Sequence, residues 1–237
     1  MRKSLIISDL QVPFEHAKSL EFCLSIKKEF QIPDINKDGS PGIINIGDEL
    51  DQYFGSQYLK DPSVNMSAID EINISKKKLR AWYRAFPKMA LCTSNHGLRW
   101  VKKAVDAEIP SQLLRPYKEI IEAPDGWVWK DEWRFKWKYP FRAIHGMGYS
   151  GQNGARNAAI DAGISTVIGH LHAHAGISMV NTYGSDRTIW AMNVGSLIDI
   201  EAFCFNYGKY SRNKPNLGCG VVIDDGKTPI FIPLGVL

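Results

Sequence analysis

The four cysteines of the chain, Cys23, Cys92, Cys204 and Cys219, are scattered through 237 residues and form no C-x-x-C pair. This spacing excludes a zinc-finger site or a disulfide framework, and it predicts buried free thiols in a reducing compartment. Long apolar runs are missing too. No window approaches the ~18 residues of a membrane span, and the opening "MRKSLIISD" has only Leu5, Ile6 and Ile7 where a signal peptide needs a longer apolar stretch. A cytoplasmic protein with no membrane partner is the expectation. There is no internal repeat, low-complexity tract or linker, so a single domain over residues 1–237 is expected. The G-x-S-x-G elbow of serine hydrolases is absent as well. Lys and Arg number 29 against 25 Asp and Glu, a net charge of +4 that suits an anionic substrate and falls far short of a polycationic tail.

What is present is an alternation of short apolar runs and helical patterns. "SLIIS" (4–8), "IINIG" (43–47), "KMALCTS" (88–94), "FRAI" (141–144) and "STVIG" (165–169) read as buried strands. Helices are expected over 16–30, 67–86, 97–108 and 153–163, the second with Ser67 as N-cap and the last with Gly163 as C-cap. After residue 175, "GISMVNTY", "RTIWAMNVG", "GCGVVIDD" and "PIFIPL" read as consecutive strands. The fold class is therefore α/β, with layered mixed sheets flanked by helices.

Each buried run leads into a side chain able to bind a metal: Asp9, Asp48, Asn95, His145, and His170 with His172. Side chains gathered beyond the carboxyl ends of strands are how α/β sheets build sites. Two carboxylates, an amide oxygen and several imidazoles match Mn²⁺, Fe or Zn²⁺ better than a Ca²⁺ cage or a thiolate site. A carboxylate can bridge two ions about 3.5–4 Å apart, and Asp48 is the bridging candidate. On a strand, residues i and i+2 face the same way about 6.6–6.8 Å apart, which would let His170 and His172 reach neighbouring ions.

"DLQ" (9–11), "GDELD" (47–51), "SNHG" (94–97), "HG" (145–146) and "GHLH" (169–172), in this order, resemble the motifs of the calcineurin-like metallophosphoesterase superfamily: D-x-H, G-D-x-x-D, G-N-H-E, a lone His and G-H-x-H. The opening "DLQVPFEH" is similar to a phage and bacterial branch that carries Gln in the first motif, which would place the protein in a host cytoplasm if phage-encoded. The resemblance implies a metallophosphoesterase-type β-sandwich and a phosphoesterase in which a metal-bound hydroxide attacks phosphorus. It implies two divalent ions, Mn²⁺ first, with Fe or Zn²⁺ as alternatives. One ion would be held by Asp9, Asp48 and His172, the other by Asp48, Asn95, His145 and His170, with His96 contacting the phosphate and assisting the leaving oxygen. The substrate class implied is a phosphate ester, a phosphodiester such as a nucleotide or nucleic acid foremost. Two of the motifs depart from the family pattern, at three positions: Gln11 stands for His, and Ser94 and Gly97 stand for Gly and Glu. An amide oxygen is a weaker ligand than imidazole for a borderline ion, so the first site is expected to be loose or to select a harder ion.

Blander readings stand beside these. Asp9 and Asp48 could cap helices, Asn95 could be a turn residue, and His145 a satisfied core histidine. It is the ordered set that weighs against them. Arg99 either points at a bound phosphate or pairs with a surface carboxylate, and Asp51 more plainly organises a helix start than binds metal. His16 is expected in a surface or capping role and His174 in a structural one. Residues 124–142 form a Trp-rich basic insertion in which Trp133, Phe135 and Trp137 alternate with Arg134, Lys136 and Lys138. Its aromatics are expected to pack on the domain, while its cations either face water or line the site and attract nucleic acid. Two rivals follow: a catalytically inactive scaffold of the same fold, suggested by Gln11, and a nucleic-acid-binding protein acting through the basic stretch.

Overall fold

In the computed structural model, residues 1–57, 60, 64–181, 187–202 and 212–235 are described. Two mixed sheets carry the chain. In the first, β1 (Ser4–Ile7), β2 (Ile43–Asn45), β3 (Met89–Cys92) and β4 (Trp127–Lys130) run parallel. Two antiparallel strands, β10 (Gly218–Ile223) and β11 (Thr228–Pro233), extend it beyond β1, giving the order β11-β10-β1-β2-β3-β4. The second sheet has the order β5-β6-β7-β9-β8, built from β5 (Glu132–Phe135), β6 (Phe141–Ile144), β7 (Ser165–Ile168), β8 (Gly176–Asn181) and β9 (Thr188–Asn193). Within it β6, β7 and β9 are parallel, and β5 and β8 close the edges antiparallel.

The apolar runs are continuous because both faces of the first sheet are covered. Leu5, Ile7, Ile43, Met89 and Leu91 pack with residues of α1 (Ser19–Glu29) and α2 (Ala68–Ala85), among them Phe22, Ile26, Leu79 and Trp82. Ile6, Ile44, Ala90 and Cys92 point the other way, into a second core with Phe135, Phe141, Ala143, Val167, Trp190 and Met192 of the second sheet. α5 (Gly154–Ala162) covers the outer face of that sheet through Ala159, against Val180 and Ala191. Burying each Leu, Ile or Phe contributes about 1.5–3 kcal/mol, so the two cores supply the main stabilisation.

Local signals match the elements. Ser67 caps α2 by accepting from the Asp70 N–H at 3.2 Å, while the Asp70 carboxylate accepts from the Ser67 N–H at 3.0 Å. Gly163 closes α5 in the left-handed conformation at φ 61°. Cys23, Cys92 and Cys219 are buried free thiols, and Cys204 lies outside the described residues. Among the described residues no helix is long and apolar enough to cross a membrane.

The Trp-rich stretch differs from its sequence reading. It is not one strand: it supplies β4 to one sheet and β5 to the other, an edge strand of each. Phe135 and Trp137 are buried in the inter-sheet core, as expected of the aromatics. Arg134 pairs with Glu132 at 2.5 Å. Lys136 lies beyond the Phe135–Phe141 pair, at the end of β6 remote from His145, so this part of the basic face does not border the metal-competent side chains.

β1, β2 and β3 in one sheet and β6 and β7 in the other all finish at the same edge of the sandwich. The connection after β2 is anchored there by Glu71, a buried α2 residue whose carboxylate accepts the N–H groups of Tyr53 at 2.7 Å and Phe54 at 3.3 Å. Burial raises its pKa to about 7, although those two hydrogen bonds pull the other way. Between the ordinary glutamate pKa and about 7, the native state holds a proton that the unfolded chain releases, so this group's contribution is lost as pH rises through that window. The gap in unfolding free energy between Glu71→Gln and wild type should therefore move in the variant's favour by about 2–3 kcal/mol from pH 4 to pH 8 in urea titrations. A gap independent of pH would contradict this.

Candidate metal centre

The loops that leave the strands at this edge are strained. Asp9, Gln11, Asp48 and His170 have φ of 50°, 49°, 53° and 64°, a region costing a non-glycine residue about 1 kcal/mol or more. Backbone hydrogen bonds between the loops hold them in place. Asp9 N–H donates to Gly47 O at 3.1 Å, Gln11 N–H to Asp48 O at 2.8 Å and Val12 N–H to Glu49 O at 3.0 Å. Two glycines allow the close approach. A Cβ on Gly47 would lie 2.6 Å from Ser94 Cβ and 2.8 Å from His145 Nδ1, and one on Gly169 would lie 1.8 Å from Ser8 Oγ and 2.6 Å from Asp9 Oδ2.

One cluster surrounds Asp48, which is 1% exposed. Its N–H donates to Ser94 Oγ at 2.9 Å and its Oδ1 accepts from the His96 N–H at 3.1 Å. Its Oδ2 lies 3.3 Å from His145 Nε2. His145 is equally buried. Its Nδ1 lies 3.0 Å from the carbonyl of Ile46, which fixes the proton on that nitrogen in the neutral ring and turns the lone pair of Nε2 inward. Asn95 Oδ1 is 2.7 Å from the same Nε2, and the His145 and His170 rings are 5.0 Å apart. One ligand atom each of Asp48, His145 and His170 lies within 4.8 Å of the others.

A carboxylate, an amide oxygen and an imidazole lone pair thus face one another, an arrangement stable only with positive charge among them. Without an ion, that charge has to be a proton. Burial alone lowers the His145 pKa, but the charges of Asp48 and Asp9 and the hydrogen bond to Asp48 outweigh it and push the pKa to about 9. Burial likewise raises the Asp48 carboxyl, yet His145 and His96 hold it well below the usual carboxylate range. His170 is lowered by burial and by the charge of His145.

The second cluster is built on Asp9, with no exposed surface. His172 Nε2 lies 2.9 Å from Asp9 Oδ1, the His170 N–H donates to Asp9 Oδ2 at 2.9 Å, and the Ser8 hydroxyl donates to that same oxygen. Burial opposes the charged form of both partners, but their mutual attraction prevails, lowering the Asp9 pKa and raising that of His172. Gln11 stands beside them, 1% exposed, with Nε2 3.4 Å from His172 Nε2 and Oε1 without a hydrogen-bond partner.

His96, Arg99 and Asp51 form a third group at the start of α3 (Arg99–Asp106). Arg99 Nη2 is 2.7 Å from His96 Nε2, and Arg99 Nη1 donates to the Asp51 carbonyl at 2.7 Å. His96 Nδ1 lies 3.2 Å from Asp51 Oδ1, off the line of a hydrogen bond, and Nε2 is 3.7 Å from Asp48 Oδ2. Arg99 Nη1 also lies 3.7 Å from Asp51 Oδ1, so the carboxylate it pairs with is a buried one beside His96 and not a surface one.

Comparison with protein-family models and with curated proteins finds no match to this chain. The structure brings Asp9, Gln11, Asp48, Asn95, His96, Arg99, His145, His170 and His172 to one edge. One step of the sequence argument is corrected. His170 and His172 are not on a strand: β7 ends at Ile168, and the left-handed turn at His170 directs the two rings to different clusters. The His174 N–H donates to the Leu171 carbonyl at 3.0 Å within the turn after β7. His16 Nδ1 accepts from the Lys18 N–H at 3.2 Å in the turn ahead of α1, whose N-cap is Lys18, so His16 does not cap the helix with its side chain.

Sequence reasoning missed three supports. Ser94 accepts from both Asp48 N–H and, at 3.3 Å, Gly97 N–H. Gln52 accepts from the Trp100 N–H at 3.2 Å. Asn193, at the end of β9, donates to the Leu171 carbonyl at 2.9 Å and so holds the His170–His172 turn. Only polar residues at strand ends hinted at them. Because the Gly169 position is filled by Ser8 and Asp9, Gly169→Ala should lower unfolding stability by about 1–3 kcal/mol in urea. Stability equal to wild type would contradict the packing described.

Proposed function

We propose that the chain is a dinuclear metal-dependent phosphoesterase of the calcineurin-like type, its two sheets forming that family's sandwich and its substrate a phosphodiester. The carrying observation is the ligand-rich edge. Residues from five strand ends converge, and Asp48 stands in one cluster within electrostatic reach of Asp9 in the other. The donor set fits divalent ions: Asp48, Asn95, His145 and His170 for one, Asp9, Gln11 and His172 with Asp48 for the other. The converging acceptors and the orphaned Gln11 oxygen call for cations there. When bound, such ions lower the pKa of a water between them and neutralise charge on the phosphoryl oxygens.

The protein's own groups supply the rest. Arg99, held by the Asp51 carbonyl, presents donors that a phosphoryl oxygen can take up bidentately. In the resting arrangement Arg99 donates toward His96 Nε2, which serves as the acceptor. When phosphate draws the guanidinium away, Nε2, 3.7 Å from the Asp48 carboxylate, is free to take up a proton from solvent and pass it to the leaving oxygen. Asp51 positions the ring from its other side. Support for a phosphodiester comes from the open, partly exposed flank of His170, His172 and Arg99; the distant Arg134–Lys136 face adds none.

With Mn²⁺, purified protein should hydrolyse a chromogenic aryl phosphodiester. His96→Ala should lower kcat/KM by about 10²–10⁴-fold, Asp48→Asn should lose turnover, and Arg99→Ala should raise KM. Variants as active as wild type would overturn the assignment of this site.

A further inference from the structure

We infer that the two ion sites are unequal and that Gln11 sets the difference. On this inference, which rests on the phosphoesterase reading, the Asp48–Asn95–His145–His170 site retains its ion. The Asp9–Gln11–His172 site is oxygen-rich and exchangeable, filled by a hard divalent cation such as Mn²⁺ according to its free concentration. Activity is gated by that filling.

The observation behind this is the Gln11 amide. Its side chain is 1% exposed, and among the described residues no donor reaches Oε1. A buried carbonyl oxygen left unpaired forfeits its hydration with nothing in return, so its persistence at a left-handed backbone position, φ 49°, calls for a ligand. Turning the amide over does not relieve it. Oε1 would then face His172 Nε2, whose single proton is already directed at Asp9 Oδ1, 2.9 Å away. In either orientation the oxygen, the Asp9 carboxylate and the lone-pair side of the cluster are satisfied together by a cation. The Gln11 backbone N–H is bonded to the Asp48 backbone carbonyl at 2.8 Å, which ties the Gln11 loop to the loop that carries Asp48.

The donor chemistry then separates the sites. Around Asp48 two imidazoles, His145 and His170, join one carboxylate and one amide; around Asp9 a single imidazole, His172, is joined by oxygens alone. Borderline ions such as Zn²⁺ gain more from imidazole than from an amide oxygen, whereas Mn²⁺ tolerates oxygen sets. An amide also brings no charge. The Asp9–Gln11–His172 site should therefore bind more weakly and discriminate less in favour of Zn²⁺.

Titration of metal-stripped protein with Mn²⁺, followed by the electron paramagnetic resonance signal of free Mn²⁺, reads this without turnover. Two ions per chain are expected in two classes whose Kd values differ at least tenfold, and the Mn²⁺ concentration for half-maximal hydrolysis should match the weaker class. Gln11→His should tighten that class several-fold and let Zn²⁺ displace Mn²⁺ from it. Gln11→Glu, which keeps the side-chain length and adds charge, should also tighten it. Gln11→Leu should leave one ion per folded chain. Two classes of equal affinity, or a weak class indifferent to His and Glu at position 11, would overturn the inference while leaving the phosphoesterase reading intact. A wild-type chain that binds no Mn²⁺ would overturn both.

Discussion

A carboxylate buried at the meeting point of two sheets has to be met by positive charge, and in this chain that carboxylate belongs to Asp48. Removing an ion of this kind from water costs several kcal/mol even after the protein relaxes. The surroundings answer with the His96 N–H, with His145 and with the arrangement of Asn95 and His170. Asn95 and His96 follow β3, His145 follows β6 and His170 follows β7. The parallel runs β1–β3 and β6–β7 bring their carboxyl ends to one edge, and among the described residues that edge gathers the Asp48, His145 and His170 group around the charge.

The same constraint explains where strain is stored. Left-handed backbone at Asp9, Gln11, Asp48 and His170 is a cost that the two cores offset, and each strained residue aims a polar side chain or N–H into the site. Loops that relaxed to ordinary conformations would withdraw Asp9 from His172 and Asp48 from His145. Glu71 and Asn193 serve the same end from outside, one pinning the connection after β2 and the other the turn after β7. Packing thus supplies the energy, and the site spends it on geometry.

Much of the fold was legible in the sequence because both faces of the first sheet are apolar. Runs such as "LII" and "MALC" stand out when Leu5 and Ile7 face helices while Ile6 faces the other sheet. The α2 start at Ser67 and the α5 end at Gly163 were legible from capping chemistry alone. The residues that gather at the shared edge could be picked out because metal-competent side chains follow those runs. Three things could not be read. The left-handed turn at His170 depends on Gly169 fitting against Ser8 and Asp9, a contact between residues far apart in the chain. The division of the Trp-rich stretch between two sheets depends on pairing partners that an alternating pattern does not name. The direction of Arg99 depends on Asp51 being brought beside it.

The most direct test is an anomalous difference map from crystals soaked in Mn²⁺. The account requires two peaks about 3.5–4 Å apart, as in two-metal sites generally, with the Asp48 carboxylate between them, Gln11 touching the peak nearer Asp9, and His145 and His170 on the other. Saturated crystals with no peak at Asp48, or with ions bound only elsewhere on the chain, would contradict it.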